Sequence, residues 1–191
     1  MASRNNLSGQ QLIIGAVWMS KRRIVVAPYD PRWADLFALE RAAIVQACGC
    51  HVSAVHHIGS TAVPGLAAKP IIDILAVLRE REDGVLCIVP LTRLGYRFRG
   101  ANGIDERYYF TKGSPRSHHL HMYPSDHPEV GRHLRFRDYL RSDPDQATAY
   151  AHLKLCLAAR FADDPQAYAT AKDEFCARID RLAAGLHQGT E

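Results

Sequence analysis

Apolar positions along this chain fall first into short blocks that alternate or run together, and later into stripes of helical period. Val52 to Ile58, rich in β-branched residues, predicts a strand, and Pro70 to Val77 predicts a second, largely buried one. Ile24-Val25-Val26 predicts a short strand ahead of them. Asp30-Pro31 has the form of a helix start, a capping carboxylate before a proline, and the helix it opens runs to about Ala47. A further helix from roughly Asp83 to Leu94 stops at Gly95. Tyr96 to Phe98, Arg107 to Thr111 and His118 to Tyr123 then follow as strands joined by Gly- and Ser-containing turns. From Asp126 onward the period is helical. On a helix from Pro128 to Arg141, at about 100° per residue, Val130, Leu134, Phe136 and Leu140 form an apolar arc. Arg137 and His133 fall inside that arc, while Arg132, Arg135 and Tyr139 project to the side expected to face solvent. Two last helices open at Asp143-Pro144 and Asp164-Pro165. Their stripes are Tyr150, Leu153, Leu157 and Phe161, then Tyr168, Ala171, Phe175, Ile179 and Leu182. The order predicts an α+β fold, a mixed β-sheet packed with helices and followed by a C-terminal helical segment.

Composition bounds this picture. With 191 residues, 47% of them hydrophobic and 23% charged, the chain has material for one ordinary core and little room for two. Residues 21–187 are expected to form that domain, with residues 1–20 as an appended arm. Leu12 to Met19 is apolar but lacks a secretory cleavage pattern, and no run approaches the ~20 apolar residues that span a bilayer. Five cysteines without a Cys-x-x-Cys pair point to a reducing, cytoplasmic setting. The net charge of +4 favours small anionic ligands over nucleic acid, since no basic run is interleaved with aromatics. Oligomeric state is left open.

Candidate chemistry concentrates between His57 and Leu75. Gly59 permits a turn after the first strand, where the amides of Ser60 and Thr61 can face an anion. Lys69 adds a point charge. Asp73, set in an otherwise apolar strand, calls for a partner, a metal or a cleft; an ordinary turn with Asp73 bonded to a neighbouring amide is the alternative. In Ser117 to Tyr123, period-two alternation puts His119 and His121 on one face, where two imidazoles can converge on one metal or one phosphate, or simply find hydrogen-bond partners. Arg137, turned inward, wants a phosphate or a carboxylate, the latter being Asp73 or Asp138. Lys154 and Lys172 each lie four residues after a tyrosine, Tyr150 and Tyr168, at the border of an apolar stripe. From there they can clamp an anion against the sheet or snorkel along the stripe edge.

Three blocks carry a resemblance: H-I-G-S-T-A-V-P-G-L-A-A-K-P-I-I-D-I from His57, H-L-H at His119 to His121, and R-H-L-R-F-R-D-Y-L from Arg132 to Leu140. In this order they resemble the GrpB family over roughly Ile24 to Leu182. The resemblance implies a compact nucleotidyltransferase fold, related to a domain fused to some dephospho-coenzyme A kinases. With the residues above, a first reading is an enzyme in which Gly59, Ser60 and Thr61 hold nucleotide phosphates, Lys69 and Arg137 neutralise charge, and Asp73 with His119 or His121 serves catalysis by holding a divalent cation. That ion would be Mg²⁺ or Mn²⁺, with Zn²⁺ the further choice that imidazole ligands bring. One departure stands out, because nucleotidyltransferases place a second carboxylate two residues after the first. Here Leu75 occupies that position, which opens a second reading: an inactive phosphate-binding, nucleotide-binding or interaction module.

Overall fold

A computed structural model describes residues 23–185, and the expected arm of residues 1–20 lies outside them. The sheet forms from β1 (Val52–Ile58), β2 (Ile72–Leu78), β3 (Tyr96–Phe98), β4 (Tyr108–Lys112) and β5 (His118–Pro124), in the order β1-β2-β5-β4-β3. All pairs are antiparallel except β2 with β5. The mixed sheet follows from connection length. Between β2 and β5 the chain makes α2 (Asp83–Arg93) and the β3-β4 hairpin, long enough to return β5 in the direction of β2.

Alternation along the strands divides the sheet into two faces. Ile72, Ile74, Ala76 and Leu78 of β2, with Leu120, Met122 and Phe110, pack against Trp33, Ile44 and Cys48 of α1 (Arg32–Cys48) and Cys87 and Leu91 of α2. On the opposite face Ile58, Leu75 and Tyr123 pack under Val130 and Leu134 of α3 (Pro128–Ser142). Four further segments complete the structure on that side. α4 (Pro144–Arg160), α5 (Pro165–Thr170) and α6 (Asp173–Gly185) bury Tyr150, Leu157, Tyr168 and Ile179, and the chain around Ile24 closes their far end. Asp143 and Asp164 cap α4 and α5 as expected, accepting from the amides of Gln146 and Ala167, each at 3.0 Å.

Three expectations change. Ile24 to Val26 makes no strand; the pairing there is a single bridge, Ala27 with Ala68, and Pro28 has no N–H with which to extend it. The stripe from Tyr168 to Leu182 is two helices, because the chain turns at Ala171 and Lys172 and shifts the helical phase. Tyr168 and Ile179 consequently serve different clusters, and Leu182 is left 40% exposed. The side of α3 expected to face solvent is covered in part by α6: Arg132 bonds Asp180 as well as Glu129, and Tyr139 packs beside Ile179.

Candidate functional site

The end of β1 and the start of β2 build one wall of a cleft. Ile58 of β1 stands opposite Asp73 of β2, and the chain leaves β1 through Gly59, whose φ of 68° suits a residue without a side chain. A Cβ on Gly59 would lie 2.6 Å from Asp73 Oδ2, so the turn can approach the carboxylate only because glycine is there. Ser60–Ala62 then forms a one-turn 3-10 helix, whose first amides have no partner within the turn. The Thr61 hydroxyl is committed elsewhere: it donates to the Ile71 carbonyl at 3.2 Å and meets His57 Nε2 at 3.0 Å. Thr61 therefore offers a ligand its amide rather than its side chain.

Asp73 and His119 are register neighbours across the parallel pair, and Asp73 Oδ1 lies 2.8 Å from His119 Nδ1. The other ring nitrogen, Nε2, faces the Arg116 guanidinium at 3.4 Å. Arginine can only donate, so Nε2 is the acceptor and Nδ1 carries the proton given to Asp73. Burial pushes the Asp73 carboxyl up, but the His119 bond and the charges around it hold it below its ordinary value. His121, one step further along β5, is half-buried, and its Nδ1 is buried without a hydrogen-bond partner. Burial lowers its pKa to about 3, which keeps the ring neutral and its lone pair available. Asp73, His119 and His121 each offer one ligand atom, and these lie within 4.8 Å of one another. The donor set fits a single divalent cation, with the unpartnered His121 nitrogen the observation in its favour. The position of a second carboxylate is closed, since Leu75 is fully buried with Ile58 and Tyr123.

Lysines supply the opposite wall. Lys69, Lys154 and Lys172 line a cleft of about 240 Å³ together with Gly59, Ser60, Thr61, Asp73 and His119. None of the three forms an ion pair among the described residues. Lys154 Nζ sits 4.4 Å from the centre of the Tyr150 ring, while Lys69 and Lys172 share Tyr168 at 5.1 and 4.7 Å. Lys154 is only 3% exposed and its ammonium makes no hydrogen bond. Burial, then the charge of Lys172, lowers its pKa to about 7; burial and Lys172 also lower Lys69.

Two of the expected residues stand apart from this cleft. Arg137 does not line it: its guanidinium holds Asp138 at 2.7 and 2.9 Å and donates to the His57 carbonyl at 3.1 Å. Of the carboxylate partners considered for it, the structure selects Asp138. His121 joins Asp73 and His119 in the ligand cluster but lies behind the cleft rim. Sequence reasoning passed over Tyr150 and Tyr168 as ligand-wall residues and Arg116 entirely. The four-residue spacing to Lys154 and Lys172 carried a signal for the tyrosines, since i and i+4 meet on a helix; nothing local marked Arg116.

The family model described as GrpB protein matches residues 23–181. This chain belongs to the GrpB family. A UPF0157 protein of Pseudomonas aeruginosa is 45% identical over 172 residues, covering 86% of this chain and 70% of that protein. The UPF0157 protein YqkA of Bacillus subtilis is 43% identical over 170 residues, 88% of this chain but 50% of its own length. A crystal structure of GrpB from Enterococcus faecalis aligns with a TM-score of 0.82 at 40% identity, over 86% of this chain and 99% of that one. The GrpB domain is thus the helix-flanked mixed sheet described above.

Proposed function

We propose that this GrpB-family protein binds a nucleotide or a comparable phosphorylated small molecule between the Gly59 turn and the lysine wall, with one divalent cation on Asp73, His119 and His121. The observation that carries the reading is the set of three lysines without carboxylate partners, one of them buried, facing an Asp–His pair across a small cleft. Unbalanced buried positive charge is costly, and a phosphate relieves it. Lys69, Lys154 and Lys172 would neutralise the phosphate oxygens, and the Ser60 and Thr61 amides would fix their orientation. His119 Nε2, fixed as the acceptor by the Asp73 bond and met by Arg116 at 3.4 Å, would take a proton or ligate metal in place of that contact. The cation, when bound, would screen phosphate charge during nucleotidyl transfer, and its imidazole ligands favour Mn²⁺ or Zn²⁺ over Mg²⁺. Leu75 supports the second reading, in which the same pocket binds its ligand and transfers nothing.

A thermal-shift series with nucleoside triphosphates and coenzyme A precursors, with and without Mg²⁺ or Mn²⁺, tests the binding. At least one phosphorylated ligand should raise Tm, and Lys172→Ala should remove most of that rise. Asp73→Asn and His121→Ala should abolish the added effect of Mn²⁺. No rise with any of these ligands would overturn the reading; a rise indifferent to both metals would favour the binding module.

A further inference from the structure

A second cleft of about 270 Å³ lies beside the first and is lined by arginines instead of lysines. Its walls are Gly95, Arg97 and Arg99 from the edge strand β3 and its flanks, Thr111 from β4, and Gly113, Ser114 and Arg116 from the β4-β5 turn. The sheet register explains why it adjoins the Asp–His pair. Asp73 pairs with His119, His119 with Thr111, and Thr111 with Arg97, so these four residues form one row across the sheet. Directly opposed residues share a face, which puts Arg97 on the side of the sheet that carries Asp73 and His119, roughly two strand spacings of ~4.8 Å from the histidine. Arg99 belongs to the next row, its amide bonded to the Tyr109 carbonyl at 2.8 Å, and its Nε donates to the Thr111 hydroxyl at 3.1 Å. Arg116 borders both regions through His119 Nε2.

No acidic side chain lines this cleft, and none of its three arginines forms an ion pair among the described residues. Three guanidiniums without carboxylates on one concave surface concentrate positive charge there and leave their N–H donors open to an anion. Arg97 and Arg99 are exposed, so a ligand can reach them. The fork geometry selects the ligand: parallel N–H pairs suit the oxygens of a phosphoryl group, and three guanidiniums lining one small cleft suit a phosphomonoester dianion. The cleft is too small for a strand of nucleic acid, and no aromatic ring lines it as a stacking platform.

We infer that Arg97, Arg99 and Arg116 form a second phosphate site, separate from the lysine cleft, that holds the phosphomonoester group of a second small molecule with its remainder directed toward His119. The site stands on its own residues and does not depend on what occupies the lysine cleft. Two anion sites flanking one Asp–His pair are the arrangement that brings two phosphorylated molecules together at one point.

The test uses the full chain, inorganic phosphate as probe, and NMR detection of the arginine Nε–H signals together with the Thr111 amide. The parent protein should show saturable shifts at Arg97, Arg99 and Arg116 with one dissociation constant. Arg97→Gln combined with Arg99→Gln should weaken that site at least about tenfold, the loss expected for charged hydrogen bonds, while shifts around Lys154 persist. Lys154→Gln combined with Lys172→Gln should do the reverse, so failure of one site is distinguishable from failure of the other. Arg97→Lys, which keeps the charge but removes the fork, serves as a conservative control for folding and should bind with intermediate affinity. Phosphate shifts confined to the lysine cleft would overturn the proposal. So would a single-stranded oligonucleotide that shifts the three arginines where phosphate does not.

Discussion

At the scale of single residues, the site depends on side chains whose burial sets their charge. Lys154 is the clearest. Its pKa falls from 10.5 to about 7 on folding, so between those values the unfolded chain holds a proton that the folded chain does not. Stability must therefore rise with pH across that window, by up to about 1.4 kcal/mol per pH unit. Denaturant unfolding at pH 7, 8 and 9 should show the rise, and Lys154→Met should flatten it; an equal slope in both proteins would contradict the assignment. The same residue couples ligand to proton. An anion beside the ammonium restores its proton, so binding at pH 8 should take up protons from the buffer. Gly59 matters for a different reason. Gly59→Ala puts a Cβ against Asp73 Oδ2 at a positive φ, and should cost about 1–3 kcal/mol in chemical denaturation. A neutral result would mean that the turn can retreat from the carboxylate.

Among the secondary-structure elements, the five strands of the sheet were legible, the expected strand at Ile24 to Val26 was not formed, and the last helices were legible only in part. Alternation in His118 to Tyr123 and the apolar run from Pro70 to Val77 around Asp73 placed their side chains on the right faces, because period two is a property of the strand itself. Register is not. That Thr111 and Arg97 would extend the row from Asp73 and His119 depends on the register of two successive hairpins and on the pairing of β2 with the distant β5, and alternation within one strand encodes neither. The cationic residues show the same limit. Lys154 and Lys172 could be placed at a stripe border, but Arg137 is taken by the neighbouring Asp138, a contact that helical arcs alone did not decide. The stripe drawn through Ile179 and Leu182 offers a direct check, because both lie on α6 yet sit in different environments in the molecule. Ile179 is fully buried, so Ile179→Ala should cost about 2–5 kcal/mol. Leu182→Ala, on a half-exposed side chain, should cost under about 1 kcal/mol. Equal losses in urea unfolding would show that Leu182 is packed as the stripe on paper has it.

Taken as a whole molecule, the chain carries a liability to acid. His57, His121 and His133 are held by burial at about 4, 3 and 4 instead of 6.5, so the unfolded state takes up protons first as pH falls. The sign is fixed: stability present above pH 6.5 is lost progressively toward pH 4, at up to about 1.4 kcal/mol per unit for each histidine. Circular dichroism should place the acid midpoint above pH 4, and His133→Gln should move it lower. A parent chain still folded at pH 3 would show that these rings are hydrated.

The lysine cleft also lies at a seam. One side belongs to the sheet, packed on α1 and α2, and the other to helices that keep apolar clusters of their own. A molecule seated there would act as a keystone, tying together two bodies that otherwise meet through α3 and the Val63 to Leu66 segment. Its occupancy would be reported far from the contact atoms, as slower amide exchange along α4 and α6. Ribosomal synthesis adds an order to events: the Gly59 turn emerges more than a hundred residues before Lys172, so the nascent chain has no complete cleft until its C-terminal helices dock.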